Sequence, residues 1–370
     1  RSVINALILC GAIPVYVNPE TDQKLGIALG MSVAGVARAI RENPDAKAVF
    51  VNNPTYYGIC SDIRTICELA HQNGMLLLAD EAHGTHFYFG ENLPLSAMDA
   101  GADMASVSMH KSGGSLTQSS FLLTGSRMSE GYVRQIINLT QTTSGSYLLL
   151  SSLDVSRKNL ALHGRELFGF VCRSAQYARE EINEIGDYYA YSRELCNGDS
   201  VFDFDITKLS INTLDTGLAG IEVYDILRDE YDIQVEFGDI GNILAYISVG
   251  DRPQDTERLV GALSEIRRRF RRADRANMMR HEYISPEVAA APQEAFYAEK
   301  VSLPIEQTAG HICTEFVMCY PPGIPILAPG ERITPEILDY IRYAKEKGCS
   351  MTGPEDMDIT RLNVWKGEHR

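Results

Sequence analysis

Two short segments concentrate residues able to do chemistry: DEAHGTH at 80–86 and SMHKSGG at 108–114. Each ends an apolar run, MLLLAD at 75–80 and MASVSM at 104–109, that has the composition of a strand buried on both faces. A lysine at such a strand end is drawn out of bulk water, which lowers the pKa of its ammonium. The neutral amine of Lys111 can then form a Schiff base with an aldehyde. Pyridoxal phosphate needs such a lysine for its aldehyde and a carboxylate for its pyridinium nitrogen, and Asp80 ends the preceding strand. The hydroxyl of Ser108 and the backbone amides around Gly113 and Gly114 are available to a phosphate. Taken alone, Lys111 before two glycines is an ordinary surface turn, and no G-x-G-x-x-G or P-loop pattern surrounds it. His83 and His86 can equally cap local backbone, and His86 is left structural. Asp80, His83 and His86 could instead ligate a metal, but no second cluster completes a ligand set and Lys111 is then idle.

These segments need a scaffold that brings strand ends together. AGVARAIREN at 34–43 has helical periodicity, and AKAVFV at 46–51 is a buried strand stopping at NNPTYYG. That stop is either a turn set by Pro54 and Gly58 or a place for Asn53 or Thr55 beside a ring hydroxyl. Ser61 or Asp62 caps a helix running through Gln72, and Gly74 ends it. Further strands are expected at 13–17 (IPVYV) and 118–125 (QSSFLLTG). Strands separated by single helices imply a parallel sheet with right-handed crossovers, whose ligands bind beyond the carboxyl ends of the strands. NNPTYYG, DEAHGTH and SMHKSGG would then face one crevice. A long helical region over 151–185 follows. VFDFDITKLSIN and GNILAYISVG alternate like strands around the helix GIEVYDILRDEYD, giving a smaller α+β domain that ends near Arg275. A third block, 276–370, contains YPPGIPILAPGERITPEI, with a helix start at Thr334–Pro335 and a stop at Gly348.

A chain of 370 residues is long enough for two or three domains, and 45% hydrophobic with 22% charged residues is ordinary for a globular protein. The 34 basic and 49 acidic residues give a net charge of −15, which repels nucleic acid and anionic membrane. The one basic run, RRRFRRADR at 267–275, is a solvated helix end. None of the eight cysteines forms CxxC, which argues against a structural zinc site and for a reduced, cytoplasmic protein. VINALILCGAIPVYV at 3–17 is broken by Gly11 and Pro14 and is neither a membrane span nor a signal peptide. Because the chain opens at Arg1 inside that apolar pattern, the native N-terminus is expected upstream.

DEAHGTHFYF, SMHKSGGSLTQSS, TTSGSYLLLSSLD and YPPGIPILAPGERIT together resemble the bacterial Orn/Lys/Arg decarboxylases, over essentially the whole chain. The resemblance implies an α/β fold of the pyridoxal-phosphate-dependent transferases (fold type I). It divides the chain into a major domain at 1–185 with a mainly parallel sheet, N-terminally incomplete, a small α+β domain at 186–275 and a C-terminal family domain at 276–370. It makes Lys111 the Schiff-base lysine, Asp80 the pyridinium partner, Ser108 a phosphate ligand, His110 the histidine beside the lysine and His83 a residue close to the cofactor. Thr143 and Ser144 match a loop reaching the cofactor of a neighbouring subunit, although Gly145 departs from the family's proline. Glu331 is the candidate for the distal cation of the substrate. The implied reaction is α-decarboxylation of arginine, lysine or ornithine in polyamine biosynthesis, by a cytoplasmic homodimer or higher homo-oligomer. A ring-stacking histidine and a phosphate-cradling loop would lie upstream of Arg1, so this stretch alone is expected to bind the cofactor weakly and to turn over poorly. The same fold carries transamination and retro-aldol chemistry, and a non-catalytic chain stays open as an alternative.

Overall fold

Buried apolar strands alternating with amphipathic helices build the sheet that carries the candidate residues. The computed structural model describes residues 2–270, 284, 287–320, 324–346 and 350–367. The chain divides into two compact units, one of Arg1–Asn18 with His281–Arg370 and the other of Pro19–Arg280. Helix α1 (Ser2–Cys10) opens the former.

In the Pro19–Arg280 unit, strands β1 (Ala48–Asn52), β2 (Leu76–Asp80), β3 (Met104–Val107) and β4 (Phe121–Thr124) form one sheet in that order. The first three run parallel, and Asn52, Asp80 and Ser106 stand side by side at their carboxyl ends. Helices α2 (Val33–Glu42) and α3 (Ile63–Gln72) pack together on this sheet. Asp62 caps α3 by accepting from Thr65 N at 3.1 Å. Ile63, Ile66, Cys67 and Ala70 recur at helical spacing and meet Leu77, Ala79 and Ala105. Asp103, almost fully buried, joins helix to sheet: its Oδ2 accepts from Leu77 N and His71 Nε2, both at 2.8 Å.

Two sequence expectations fail here. β4 pairs antiparallel with β3, Met104 opposite Thr124. The connection, residues 108–120, holds only the one-turn helix α4 (Met109–Ser112), too little helix to carry the chain back along the sheet for a parallel return. Residues 13–17 form no strand; Ile13 and Val15 are exposed, and no described strand supplies the hydrogen bonds that would fix them.

Helix α5 (Glu130–Thr140) leads into α6 (Tyr147–Ile185), 39 residues long, which carries the chain to a second sheet. That sheet has the order β7-β8-β6-β5, all antiparallel, from β5 (Tyr189–Ala190), β6 (Lys208–Asn212), β7 (Phe237–Gly238) and β8 (Asn242–Tyr246). Helices α7 (Gly220–Tyr231) and α8 (Pro253–Phe270) pack with α6 on it around Leu209, Ile211, Val223 and Leu263. Buried Arg179 on α6 fastens the entry to β6, donating to Tyr191 O (3.2 Å), Ile206 O (3.2 Å) and Lys208 O (3.0 Å).

In the other unit, α9 (Pro292–Tyr297) precedes two small antiparallel sheets. One pairs β9 (Lys300–Pro304) with β13 (Arg361–Trp365), and the other has β10 (Val317–Tyr320) between β11 (Ile324–Leu327) and β12 (Ser350–Thr352). Helix α10 (Pro335–Glu346) begins at the expected proline and buries Ile337, Leu338 and Ile341. The expected stop at Gly348, the domain end near Arg275 and the tail of the basic run lie outside the described residues. No described helix is long and apolar enough to cross a membrane.

Replacing Arg179 with Met keeps much of the packing but strands three carbonyls in the core. We expect Arg179→Met to destabilise the Pro19–Arg280 unit by about 2–4 kcal/mol, measured as a lowered denaturant midpoint.

Candidate active site

The parallel ends of β1, β2 and β3 release NNPTYYG, DEAHGTH and SMHKSGG on the same side of the sheet. Asp80 is the last residue of β2 and half-buried; its Oδ1 accepts from Ala82 N at 3.1 Å, and its Oδ2 makes no hydrogen bond among the described residues. Glu81, the next residue, turns away from it into a dry pocket. Its Oε1 accepts from Ala97 N at 2.8 Å and its Oε2 from Tyr88 OH at 2.5 Å. Burial pushes the Glu81 carboxyl up to about 8. The two adjacent carboxylates therefore divide: Asp80 stands at the strand ends and Glu81 holds the loop behind them.

On the β1 side, Asn53 N donates to Asp80 O at 3.0 Å and Asn53 Oδ1 accepts from Ser61 N at 2.8 Å, leaving its buried Nδ2 without a partner among the described residues. Thr55 Oγ1 accepts from Ile59 N at 3.1 Å. Gly58 has φ +93°, and a Cβ there would lie 2.9 Å from Lys208 Cβ, so only glycine lets this turn close on β6.

Lys111 emerges in α4, one turn past β3. Its Nζ lies 2.9 Å from His83 Nε2. Burial lowers its pKa, partly offset first by Asp80 and then by Glu236. Ser108 precedes α4, and its hydroxyl does not cap that helix. His110 faces its own loop, where Nδ1–H donates to Ser119 O at 2.9 Å. His83 is buried, with the edge of the Tyr56 ring 4.4 Å from it between centroids. Burial, then the positive fields of Lys208 and Lys111, hold His83 far below the usual imidazole range.

The residue that sequence reasoning missed is Lys208. It is the first residue of β6, paired with Tyr246, and only 1% exposed. Its Nζ lies 3.2 Å from His83 Nδ1 and 3.6 Å from the centroid of the Tyr246 ring. Burial brings its ammonium down to about 8, against the upward pull of Asp205 and Glu236. In KLSIN the polar residues alternate with Leu209 and Ile211, the pattern of a strand with one wet face; here all five residues are buried. The only signal was a lysine opening a strand that follows Asp205 so closely.

His86, left structural from the sequence, is fully buried with its Nε2 2.9 Å from Asp205 Oδ2. Burial alone would raise Asp205, yet His86 and Lys208 hold it below the ordinary carboxylate range. With His86 engaged there and both nitrogens of His83 engaged by lysines, the three residues of DEAHGTH do not assemble as a ligand set. Among the described residues no group of three or more His, Cys, Asp or Glu could hold a metal ion.

Thr143 and Ser144 lie in the exposed turn between α5 and α6, where Ser144 N donates to Thr142 Oγ1 at 3.2 Å. Glu331 belongs to the other unit. It is buried there, its Oε2 accepts from Ala328 N at 2.8 Å, and burial pushes its carboxyl up to about 7.

Among the described residues, an amine of lowered pKa, a carboxylate with an open oxygen on the adjacent strand end, an unpartnered buried amide N–H₂ and a serine hydroxyl that caps no helix form a donor set that fits pyridoxal phosphate.

The family model described as the Orn/Lys/Arg decarboxylase major domain matches residues 1–255, and that of the C-terminal domain matches 273–356. The chain is 43% identical to an arginine decarboxylase of Bacillus anthracis, over 99% of this chain and 75% of that protein. It is 42% identical to the arginine decarboxylase of Bacillus subtilis, with the same coverage. The crystal structure of the Francisella novicida lysine decarboxylase superimposes with a TM-score of 0.81 at 21% identity, over 98% of this chain. This chain spans 64% of the length of that structure. The α/β fold is that of the fold type I pyridoxal-phosphate enzymes.

Glu81 gives a pH signature. Folded, its carboxyl keeps a proton up to about pH 8; unfolded, it loses that proton near 4.5. Between these values the folded state binds the extra proton, so the Glu81 contribution to stability falls as pH rises. Glu81→Gln should flatten the slope of the denaturation midpoint between about pH 5 and 8.

Proposed function

This chain belongs to the Orn/Lys/Arg decarboxylase family, and from that membership we propose that it decarboxylates a basic amino acid at Cα with pyridoxal phosphate, arginine being the first candidate. The observation that carries this reading is the pair of Lys111, held at 2.9 Å by a buried imidazole, and Asp80 on the neighbouring strand end with an open carboxylate oxygen. Bound there, pyridoxal phosphate supplies the conjugated ring that takes up the electron pair left when carbon dioxide departs.

The protein's own groups do the rest. Lys111 Nζ offers the nitrogen lone pair that holds the aldehyde carbon. Asp80 accepts a charge-assisted hydrogen bond from the ring nitrogen and keeps that nitrogen protonated. Ser108 Oγ donates to the phosphate, and Asn53 Nδ2 is a donor for the ring hydroxyl. His83 orients Lys111, and His110, fixed by Ser119, flanks it. Replacing carboxylate by hydrogen requires one proton at Cα, and Lys111 Nζ is the group positioned to carry it. Glu331, whose carboxyl burial raises to about 7, is kept as the candidate for the distal guanidinium or ammonium, which a carboxyl in such a setting gains by accepting.

We assign the exposed apolar stretch around α5 and the start of α6 to a homo-oligomer contact. Leu139 (81% exposed), Tyr147 (84%) and Leu148 (71%) flank Thr143 and Ser144, which would reach the neighbouring cofactor through it. Eight unclustered cysteines and a net charge of −15 suit a reducing cytoplasm.

Borohydride reduction of the pyridoxal-phosphate-loaded chain should fix the cofactor on Lys111, read by peptide mass. Lys111→Ala should remove that adduct and lower arginine decarboxylation by about three orders of magnitude or more. An adduct on Lys208 in the unmodified chain would refute the assignment. For Glu331→Gln we expect KM for arginine to rise about ten-fold while kcat changes less than about three-fold.

A further inference from the structure

Adjacent tyrosines of NNPTYYG reach the second sheet, and each ends on a carboxylate near β7. Tyr57 OH donates to Asp239 Oδ2, and Tyr56 OH donates to Glu236 Oε1 at 2.5 Å. The pairs are not completed alike. Asp239 uses both oxygens within the fold, since its Oδ1 also accepts from Gly241 N at 2.7 Å and Asn242 N at 2.6 Å. Glu236 is exposed just before β7, anchored by its own N–H to Leu244 O at 2.9 Å, and its Oε2 accepts from no group among the described residues. A clamp between loop and sheet needs no open oxygen, as Tyr57–Asp239 demonstrates.

That open carboxylate is connected by direct contacts to the Lys111 amine. Lys111 Nζ lies 2.9 Å from His83 Nε2, the His83 ring meets Tyr56 edge-on at 4.4 Å between centroids, and the Tyr56 hydroxyl ends on Glu236. Phe237 supports the Tyr56 ring at 5.0 Å between centroids. Burial lowers the Lys111 ammonium, and two carboxylates act against that, Asp80 first and Glu236 second. Asp80 is assigned to the ring nitrogen of the cofactor, so Glu236 is the carboxylate of this pair left facing solvent. An amino acid whose α-nitrogen takes the place of Lys111, with a cation at the end of its methylene chain, needs an anion within side-chain reach of that amine. Glu331, the candidate in the other unit, leaves room for a second contact, because a guanidinium offers more N–H donors than one carboxylate accepts.

We propose that Glu236, oriented by Tyr56, is a further specificity-determining residue, whose open Oε2 accepts a hydrogen bond from the distal cation of the substrate. This rests on the reading of the chain as a basic amino-acid decarboxylase with Lys111 at its centre. The charge of Glu236 selects a guanidinium over a neutral group of the same shape, and the Tyr56 hydroxyl only steadies it.

Calorimetric binding to the full chain in the presence of pyridoxal phosphate tests this with a pair of amines of equal length. Agmatine ends in a guanidinium and N-carbamoylputrescine in a neutral urea. The unmodified chain should prefer agmatine. Glu236→Gln keeps an oxygen for Tyr56 but removes the charge; it should weaken agmatine about ten-fold and leave N-carbamoylputrescine within about two-fold. Tyr56→Phe removes the hydrogen bond but keeps the charge, and should weaken agmatine less than about three-fold. No preference for agmatine in the unmodified chain overturns the proposal, as does unchanged agmatine affinity in folded Glu236→Gln. An equal loss for both amines also overturns it, because the residue would then act on the fold and not on the charge. So does a loss in Tyr56→Phe as large as in Glu236→Gln, which would make the pair a clamp alone. In turnover, Glu236→Gln should raise KM for arginine about ten-fold and change kcat less than about three-fold. If binding changes as expected but the unmodified chain decarboxylates no basic amino acid, the functional reading falls and the cation site stands. If arginine is decarboxylated with the same KM by both chains, the functional reading stands and the Glu236 assignment falls.

Discussion

The parallel register that aligns Asn52, Asp80 and Ser106 is the constraint on which the rest of the site depends. Parallel strands end on the same side, so whatever follows each of them is delivered to one edge. Asp80 and the Lys111 turn meet because β2 and β3 are adjacent and in step. A slip of one residue would turn Asp80 to the opposite face and exchange it with Glu81, which is built into the loop through Ala97 and Tyr88. Asp103 guards that register at the other end of the strands, bonding the start of β2 to the end of α3.

The second sheet serves the first from behind. His86–Asp205 ties the DEAHGTH loop to the segment entering β6, and Arg179 holds the carbonyls of that segment from α6. The same segment carries Lys208 to the far side of His83. Buried charges of this kind are costly to desolvate, so their arrangement is stable only as a set: His86 with Asp205, Lys208 with His83 and the Tyr246 face, Arg179 with main-chain oxygens. Removing one member leaves an unpaired charge in the core.

Much of this was legible before any fold was known. Apolar runs ending abruptly in polar clusters marked the strands at 48–52, 76–80 and 104–107, and the caps at Asp62 and Pro335 marked helix starts. The failures have one origin. Whether 121–124 returns parallel or antiparallel, and whether 13–17 pairs at all, depends on where a partner strand lies, which local composition does not encode. Glu81 and Asp80 look equivalent in sequence, and only the strand pleat separates them into a loop anchor and a candidate site residue.

By itself the sequence determined which groups could do chemistry and the local elements that carry them: Lys111 and Ser108 after one strand, Asp80 and His83 after another, each motif compact and short-range. Tertiary structure alone decided that Lys208, from a strand far along the chain, stands behind His83, and that β6 is dry on both faces. Alternation records which residues share a face of a strand, but burial of that face is a property of what packs against it. A lysine's charge state follows from that burial and from the partners within a few ångströms, and these are fixed only when distant segments close on one another.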